Sequence, residues 1–160
     1  MKRTTFDPLI EELNPSALVR RFASQIVYAS SGKPLLDIAC GAGRNAFVFS
    51  NLGCSVICVD KDIARVRAQQ QRLSLTSLSH ASSNLSLYQM DLFTDPWPFG
   101  VSRAGGIVNV HLLLPSLFPS FEMSLTTGGY LLLETVPGCG GNYLQLPRAG
   151  ELRAVTRPIY

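Results

Sequence analysis

Residues 34–45 read PLLDIACGAGRN, and the fold follows from how this stretch is parsed. Pro34 to Ala39 is a short apolar run of strand character, interrupted by one acid, Asp37. Gly41-Ala42-Gly43 then turns the chain, and Arg44 to Leu52 suits a helix that Gly53 ends. A strand passing through a glycine turn into a helix is half of a βαβ unit. The other half follows at once, because CSVICVD, residues 54–60, is a second apolar run that closes on an acid.

The same rhythm extends in both directions. Upstream, Asn14 followed by Pro15 predicts a helix start, since Asn caps and Pro suits the first turn. Leu18, Phe22 and Ile26, with Val19, Ala23 and Val27, then form an apolar stripe at helical spacing. Downstream, Ile63 to about Leu75 reads as an exposed helix, and the serine-rich stretch from Ser74 to Ser86 as a connector. LSLYQMD is a third strand ending at Asp91, and LFTDPWPFG a proline-punctuated loop. GGIVNVHLL is a fourth strand, PSLFPSFEMSL a short helix and GGYLLLET a fifth strand. Strands that are apolar throughout belong in sheets covered on both faces. The expectation is an α/β fold: a Rossmann-like, doubly wound, mainly parallel sheet of about five strands, with helices on both faces and right-handed crossovers.

Composition agrees with one packed domain spanning residues 1–160. Hydrophobic residues make up 46% and charged residues 16% of the chain, enough to bury a core and too few charges for disorder. The net charge of +3 is spread thinly, with no basic stripe interleaved with aromatics, so no nucleic-acid partner is expected. Cys40, Cys54, Cys58 and Cys139 show no CxxC spacing, and His80 and His111 lie far from them in sequence, which predicts reduced thiols and no metal site. With no long apolar stretch at the N-terminus, neither a signal peptide nor a membrane span is expected, and the location follows as cytoplasmic.

Ligands of open parallel sheets lie at the carboxyl ends of the strands, where Asp60, Asp91 and the Gly41 turn should meet. Gly41-x-Gly43-x-x-Ala46 with Asp60 beyond formally fits a dinucleotide fingerprint, so an NAD-binding oxidoreductase is one reading. Asp37 speaks against it, because a carboxylate just before the turn repels a pyrophosphate and attracts an ammonium group. Asp91 adds an acid where a base ring could lie. A ligand with an amino acid at one end, a ribose in the middle and adenine at the other fits this set, and S-adenosylmethionine is such a ligand.

Residues 35–62, LLDIACGAGRNAFVFSNLGCSVICVDKD, resemble motif I and the acidic strand end of class I S-adenosylmethionine-dependent methyltransferases. Within that class the chain is similar to the small bacterial tellurite-resistance-type methyltransferases, whose glycine loop often reads D-x-A/G-C-G-x-G-R-N. Residues 134–152, ETVPGCGGNYLQLPRAGEL, are similar to a later segment of the same group. The resemblance implies an enzyme that methylates a small-molecule acceptor. It implies that Asp37 orients the methionine ammonium and that Ala39, Gly41 and Gly43 approach the cofactor with backbone groups. Asp60 would accept from the ribose hydroxyls, and Asp91 from the adenine amino group with Leu92 packed on the ring. Asn109 would line the methionine side with its backbone, while Arg44 or Asn45 touches the carboxylate.

His111, just past the fourth strand, is the candidate for a catalytic base, since imidazole titrates near neutrality. The competing reading is a histidine that merely opens the next helix. Tyr143 and Cys139 are candidates for substrate contact, and Trp97 and Phe99 for covering the adenine side. Two departures from the group stand out. Gly105 and Gly106 replace the Asp-apolar pair that usually opens the fourth strand, and no strand pattern after Thr135 supplies the group's last strand pair. A shortened domain that binds S-adenosylmethionine without catalysis is therefore an alternative. The exposed edge of the fifth strand would also favour a homodimer.

Overall fold

The computed structural model describes residues 6–135. Five parallel strands form one sheet in the order β3-β2-β1-β4-β5, with β1 Leu35–Ile38, β2 Val56–Asp60, β3 Leu85–Gln89, β4 Ala104–Val110 and β5 Leu125–Glu134. The central registers Leu35↔Val56 and Leu35↔Gly106 set β1 between its neighbours. Successive strands step one way from β1 to β3 and the other way from β1 to β5, so the strand order reverses beside β1. In sheets of this kind, the crevice at that reversal is where ligands lie.

Six α-helices accompany the strands: α1 Pro8–Glu12, α2 Ala17–Ser30, α3 Ala46–Asn51, α4 Ala64–Ser74, α5 Ser79–Ser83 and α6 Phe118–Ser124. Helices α1 to α5 build the core on one face, where Ile10, Val19, Ala23, Ile26, Phe47, Val66 and Leu73 pack with Leu35, Val56 and Cys58. On the other face, Leu36, Ile38, Val59 and Ile107 pack with Leu117 and Phe121. The crossover from β3 to β4 has no helix. Trp97 and Phe99 fill that position, with Trp97 edge-on to Phe99 at 5.0 Å and tilted on Phe121 at 5.4 Å between ring centres.

Several boundaries differ from the sequence reading for local reasons. The cap of α2 is Ser16, whose side chain accepts from the amides of Leu18 and Val19, while Asn14 sits in the left-handed region at φ 52°. Helix α1 is short but well signalled by an Asp7 cap and Pro8 in the first turn. The serine-rich connector contains α5, which buries Ala81 and Ser82. Strand β5 begins at Leu125 rather than Gly128, and its pairing with β4 shifts register between Ala104 and Gly106. Gly128, at φ 80°, lies in that irregular stretch.

Gly105 explains one departure from the expected strand pattern. A Cβ built there would lie 2.5 Å from Ser30 Cβ and 2.6 Å from Ser30 Cα, at the end of α2. At Gly106 it would lie 2.7 Å from Leu35 Cδ2. Helix α2 therefore packs directly on the backbone of β4.

Candidate active site

The carboxyl ends of β1, β2 and β3 bring three acids to one edge of the sheet. Between β1 and α3 the backbone takes left-handed conformations at Ala39, Gly41 and Gly43, with φ of 56°, 57° and 78°. The Gly41 N–H donates to Asp60 Oδ2 at 2.8 Å, which ties the turn to the end of β2. The other oxygen of Asp60 accepts from the Asp62 amide at 3.1 Å. A Cβ at Gly41 would meet no atom within 4 Å, so the space above that residue is open.

Gly43 is also restricted by packing within the fold. There a Cβ would stand 2.7 Å from Val66 Cγ2 and 3.4 Å from Phe47, so packing between the turn and α4 already excludes a side chain.

A cleft of about 200 Å³ opens beside the turn, between Ala39 and Asp60 on one side and Met90, Asp91, Leu92 and Phe93 on the other. Lys61 and Leu112 complete its lining. Leu92 is buried beneath it, whereas Phe93 is exposed. Asp91 holds the Phe93 amide through Oδ1 at 3.0 Å, and its own amide donates to Asp95 Oδ2. Trp97 donates from Nε1 to Ser124 Oγ at 2.8 Å, which fixes the aromatic crossover to α6.

Asp37 lies at the other end of the turn and is 2% exposed. Burial pushes its carboxyl up to about 7, and the nearby Asp60 charge adds to the effect. The Ala46 backbone hydrogen bond and the Arg44 charge oppose this without cancelling it. Asp37 Oδ2 is buried with no hydrogen-bond partner. That is an unusual condition for a carboxylate, because an unmet buried acceptor carries the full cost of its desolvation.

The remaining residues singled out from the sequence are dispersed around this edge. Arg44 donates from Nη1 to the Asn14 carbonyl at 2.9 Å. Asn45 is buried and its Oδ1 accepts from the Ser16 amide at 2.9 Å. Asn109, on β4 beside Ile38, is 1% exposed, and its Oδ1 has no partner. His111 is exposed at φ 71°, and its amide donates to the Glu134 carbonyl at 2.8 Å. Cys139 and Tyr143 lie outside the described residues.

The sequence reading did not pair Cys40 with Cys58, yet the two thiols meet. The left-handed turn at Ala39 breaks the side-chain alternation of β1 and brings Cys40 onto the face that holds Cys58. The hydrogen bond that the Cys58 thiol donates to Cys40, then burial, push Cys58 well above its ordinary range. Among the described residues, no cluster of His, Cys, Asp and Glu is placed to hold a metal ion, and no helix is long and apolar enough to cross a membrane. Ser16 and Glu134 are also present at this edge, joined by a hydrogen bond from the Ser16 hydroxyl to the Glu134 carboxylate. Sequence reasoning did not single them out as site residues. The only signal was the Ser in front of the α2 apolar stripe and the acid that closes β5.

Comparison with known proteins adds two findings. A family model described as "Tellurite resistance protein TehB" matches residues 19–136. A search of curated protein sequences gives no match. Among solved structures, the chain resembles the glycopeptide N-methyltransferase MtfA complexed with sinefungin, at 24% identity and a TM-score of 0.55, over 72% of this chain and 52% of that one. It also resembles a geranyl diphosphate methyltransferase in complex with S-adenosylmethionine, at 14% identity and a TM-score of 0.65, over 86% of this chain and 62% of that one. A third is the CcbJ methyltransferase from Streptomyces caelestis, at 18% identity and a TM-score of 0.55, over 73% and 49% of the two chains. At these identities the likeness is one of fold. The chain spans between about half and three fifths of the length of these proteins.

Proposed function

The chain belongs to the TehB family of tellurite resistance proteins, a family of S-adenosylmethionine-dependent methyltransferases, and on that premise we propose that it transfers a methyl group from S-adenosylmethionine to a small-molecule acceptor. The observation that carries this reading is Asp37 Oδ2, a buried acceptor without a partner at the head of an open glycine turn. An ammonium group would supply both the missing donor and the compensating charge, whereas a pyrophosphate would supply neither.

The cofactor is S-adenosylmethionine, and the residues fit its parts. Asp37 receives the ammonium, and the backbone of Ala39, Gly41 and Gly43 borders the methionine chain. Asp60 receives the ribose hydroxyls, and Asp91 with Leu92 bounds the adenine in the cleft. Arg44 and Asn45 stand near the carboxylate end, and Asn109 borders the methionine side from β4. The bound cofactor supplies an activated methyl on a sulfonium. The protein's part is to hold the acceptor in line and to keep water out, for which a dedicated base is optional. For an acceptor that needs to lose a proton, His111, exposed just past the end of β4, would take it.

Calorimetric titration with S-adenosylhomocysteine and, in parallel, NAD tests the reading. Binding of S-adenosylhomocysteine alone supports it, and binding of NAD alone or of neither ligand overturns it. Asp60→Ala is expected to weaken S-adenosylhomocysteine by about 1.5–3 kcal/mol, the range for hydrogen bonds involving a charged group. Unchanged affinity would reduce Asp60 to a clamp on the Gly41 amide.

The chain is further proposed to self-associate through β5. Among the described residues β5 pairs on one side only, with β4, and Tyr130 on it is 48% exposed. An open strand edge of this length invites a second strand. Light scattering should show a dimer, and a stable monomer at tens of micromolar would refute the idea.

A further inference from the structure

A polar relay joins the end of β5 to the carboxyl group of Asp37, although the two ends are far apart in sequence. Glu134, the last residue of β5, accepts from the Ser16 hydroxyl. The same hydroxyl accepts from the Leu18 and Val19 amides, so the Glu134 charge sits at the N-terminus of a 14-residue helix, where a negative charge is favoured. The Ser16 amide donates to Asn45 Oδ1 at 2.9 Å. Asn45 is followed directly by Ala46, whose backbone hydrogen-bonds Asp37. Arg44, on the other side of Asn45, is held by the Asn14 carbonyl.

Each step of the relay fixes the next. Glu134 sets the position of Ser16, Ser16 sets Asn45, and the Asn45–Ala46 peptide sets the Asp37 carboxyl so that Oδ2 alone is left without a partner. A second anchor holds the relay at its far end, where the Glu134 carbonyl accepts the His111 amide at 2.8 Å and ties β5 to β4. None of these groups lines the cleft between Asp60 and Leu92. The relay therefore acts on the amino-acid half of the ligand site and leaves the adenosine half alone.

We propose that Glu134 and Ser16 are positioning residues, which act through Asn45 and Ala46 to aim Asp37 at the ammonium of the bound cofactor. The proposal rests on the S-adenosylmethionine reading above. Its test compares two ligands on the full chain, S-adenosylhomocysteine and 5′-methylthioadenosine, which lacks the amino-acid end. Ser16→Ala and Glu134→Ala are expected to weaken S-adenosylhomocysteine by about tenfold or more, the effect of one charge-assisted hydrogen bond. Affinity for 5′-methylthioadenosine should stay within about twofold, and Glu134→Gln, which can still accept from Ser16, should recover most of the loss. Circular dichroism confirms that each variant is folded, and Glu134→Gln keeps the comparison possible if an alanine variant is not. Equal losses for both ligands, or no loss for either in folded variants, would overturn the positioning role. If the unaltered protein binds neither ligand, the cofactor reading fails and the relay's role with it.

Discussion

Gly105→Val is expected to remove a large share of the stability of the native fold. The valine Cβ would fall 2.5–2.7 Å from the Cβ, Cα and carbonyl oxygen of Ser30, and two of those three atoms are backbone that no rotamer change can move aside. Relief requires α2 to lift off β4, which would strip cover from Ile26, Leu35 and Val108, all at most 1% exposed. Overpacking alone costs about 1–3 kcal/mol, and displacing a core helix adds to it, so roughly 4 kcal/mol or more is expected. Domains of this size are stable by only about 5–15 kcal/mol. Urea denaturation followed by circular dichroism would measure the loss. Gly100→Ala serves as the control, since its Cβ would meet Arg103 Cγ at an ordinary 3.6 Å and should change stability by less than about 0.5 kcal/mol. A Gly105→Val midpoint equal to that of the native chain would show that α2 is not seated on β4 as described.

The second large effect concerns protons at Asp37. Its carboxyl lies near 7 in the fold against 3.8 in an open chain, so the native state binds the proton more tightly than the unfolded state does. The stability this gives is fully present below about pH 4 and is lost progressively as pH rises through 7. A shift of this size corresponds to a few kcal/mol, at about 1.4 kcal/mol per pH unit. Asp37→Asn should therefore make the ligand-free protein more stable than the native chain at pH 8, and the gap should close towards pH 4. Ligand binding should show the opposite preference. An ammonium at Oδ2 favours the ionised carboxylate, so S-adenosylhomocysteine should bind with release of up to about one proton below pH 7 and lose affinity by up to about tenfold per pH unit there. Calorimetry in buffers of different ionisation enthalpy counts that proton. Binding without proton release at pH 6 would mean that Asp37 is not the ammonium's partner.

Four of the five strands were legible as apolar runs bounded by a glycine, proline or acid, and β3, which carries exposed Ser86 and Gln89, by the acid just beyond it; parallel order follows where the connections are long enough to cross over. The start of β5 was not legible. The expected helix runs to Leu125 and the expected strand opens at Gly128, so Leu125, Thr126 and Thr127 do not read as strand; they join it through the register irregularity opposite Ala104 and Gly106. Helix α5 was hidden because serine and histidine dominate it, and its reason to form is the burial of Leu78, Ala81 and Ser82 against the core. In the candidate site, Asp37, Asp60 and Asp91 could be read as acids at strand ends. The link between Ser16 and Glu134 could not, since the two are 118 residues apart and meet only through the sheet order. Likewise, the contact of Cys40 with Cys58 depends on the left-handed backbone of Ala39, a conformation that an alanine does not advertise.

The crossover that replaces a helix between β3 and β4 also equips the protein with an optical reporter. Trp97 is the only tryptophan in the chain, so intrinsic emission excited at the indole's red edge comes from one site. Its N–H is held by Ser124, and its ring is wedged between Phe99 and Phe121, so brightness and wavelength follow how firmly the crossover is seated on α6. The same crossover begins with Met90 to Phe93, one wall of the cleft. Filling or distorting that cleft therefore reaches the indole through a few residues of continuous chain, and occupancy can be followed by fluorescence without attaching a dye.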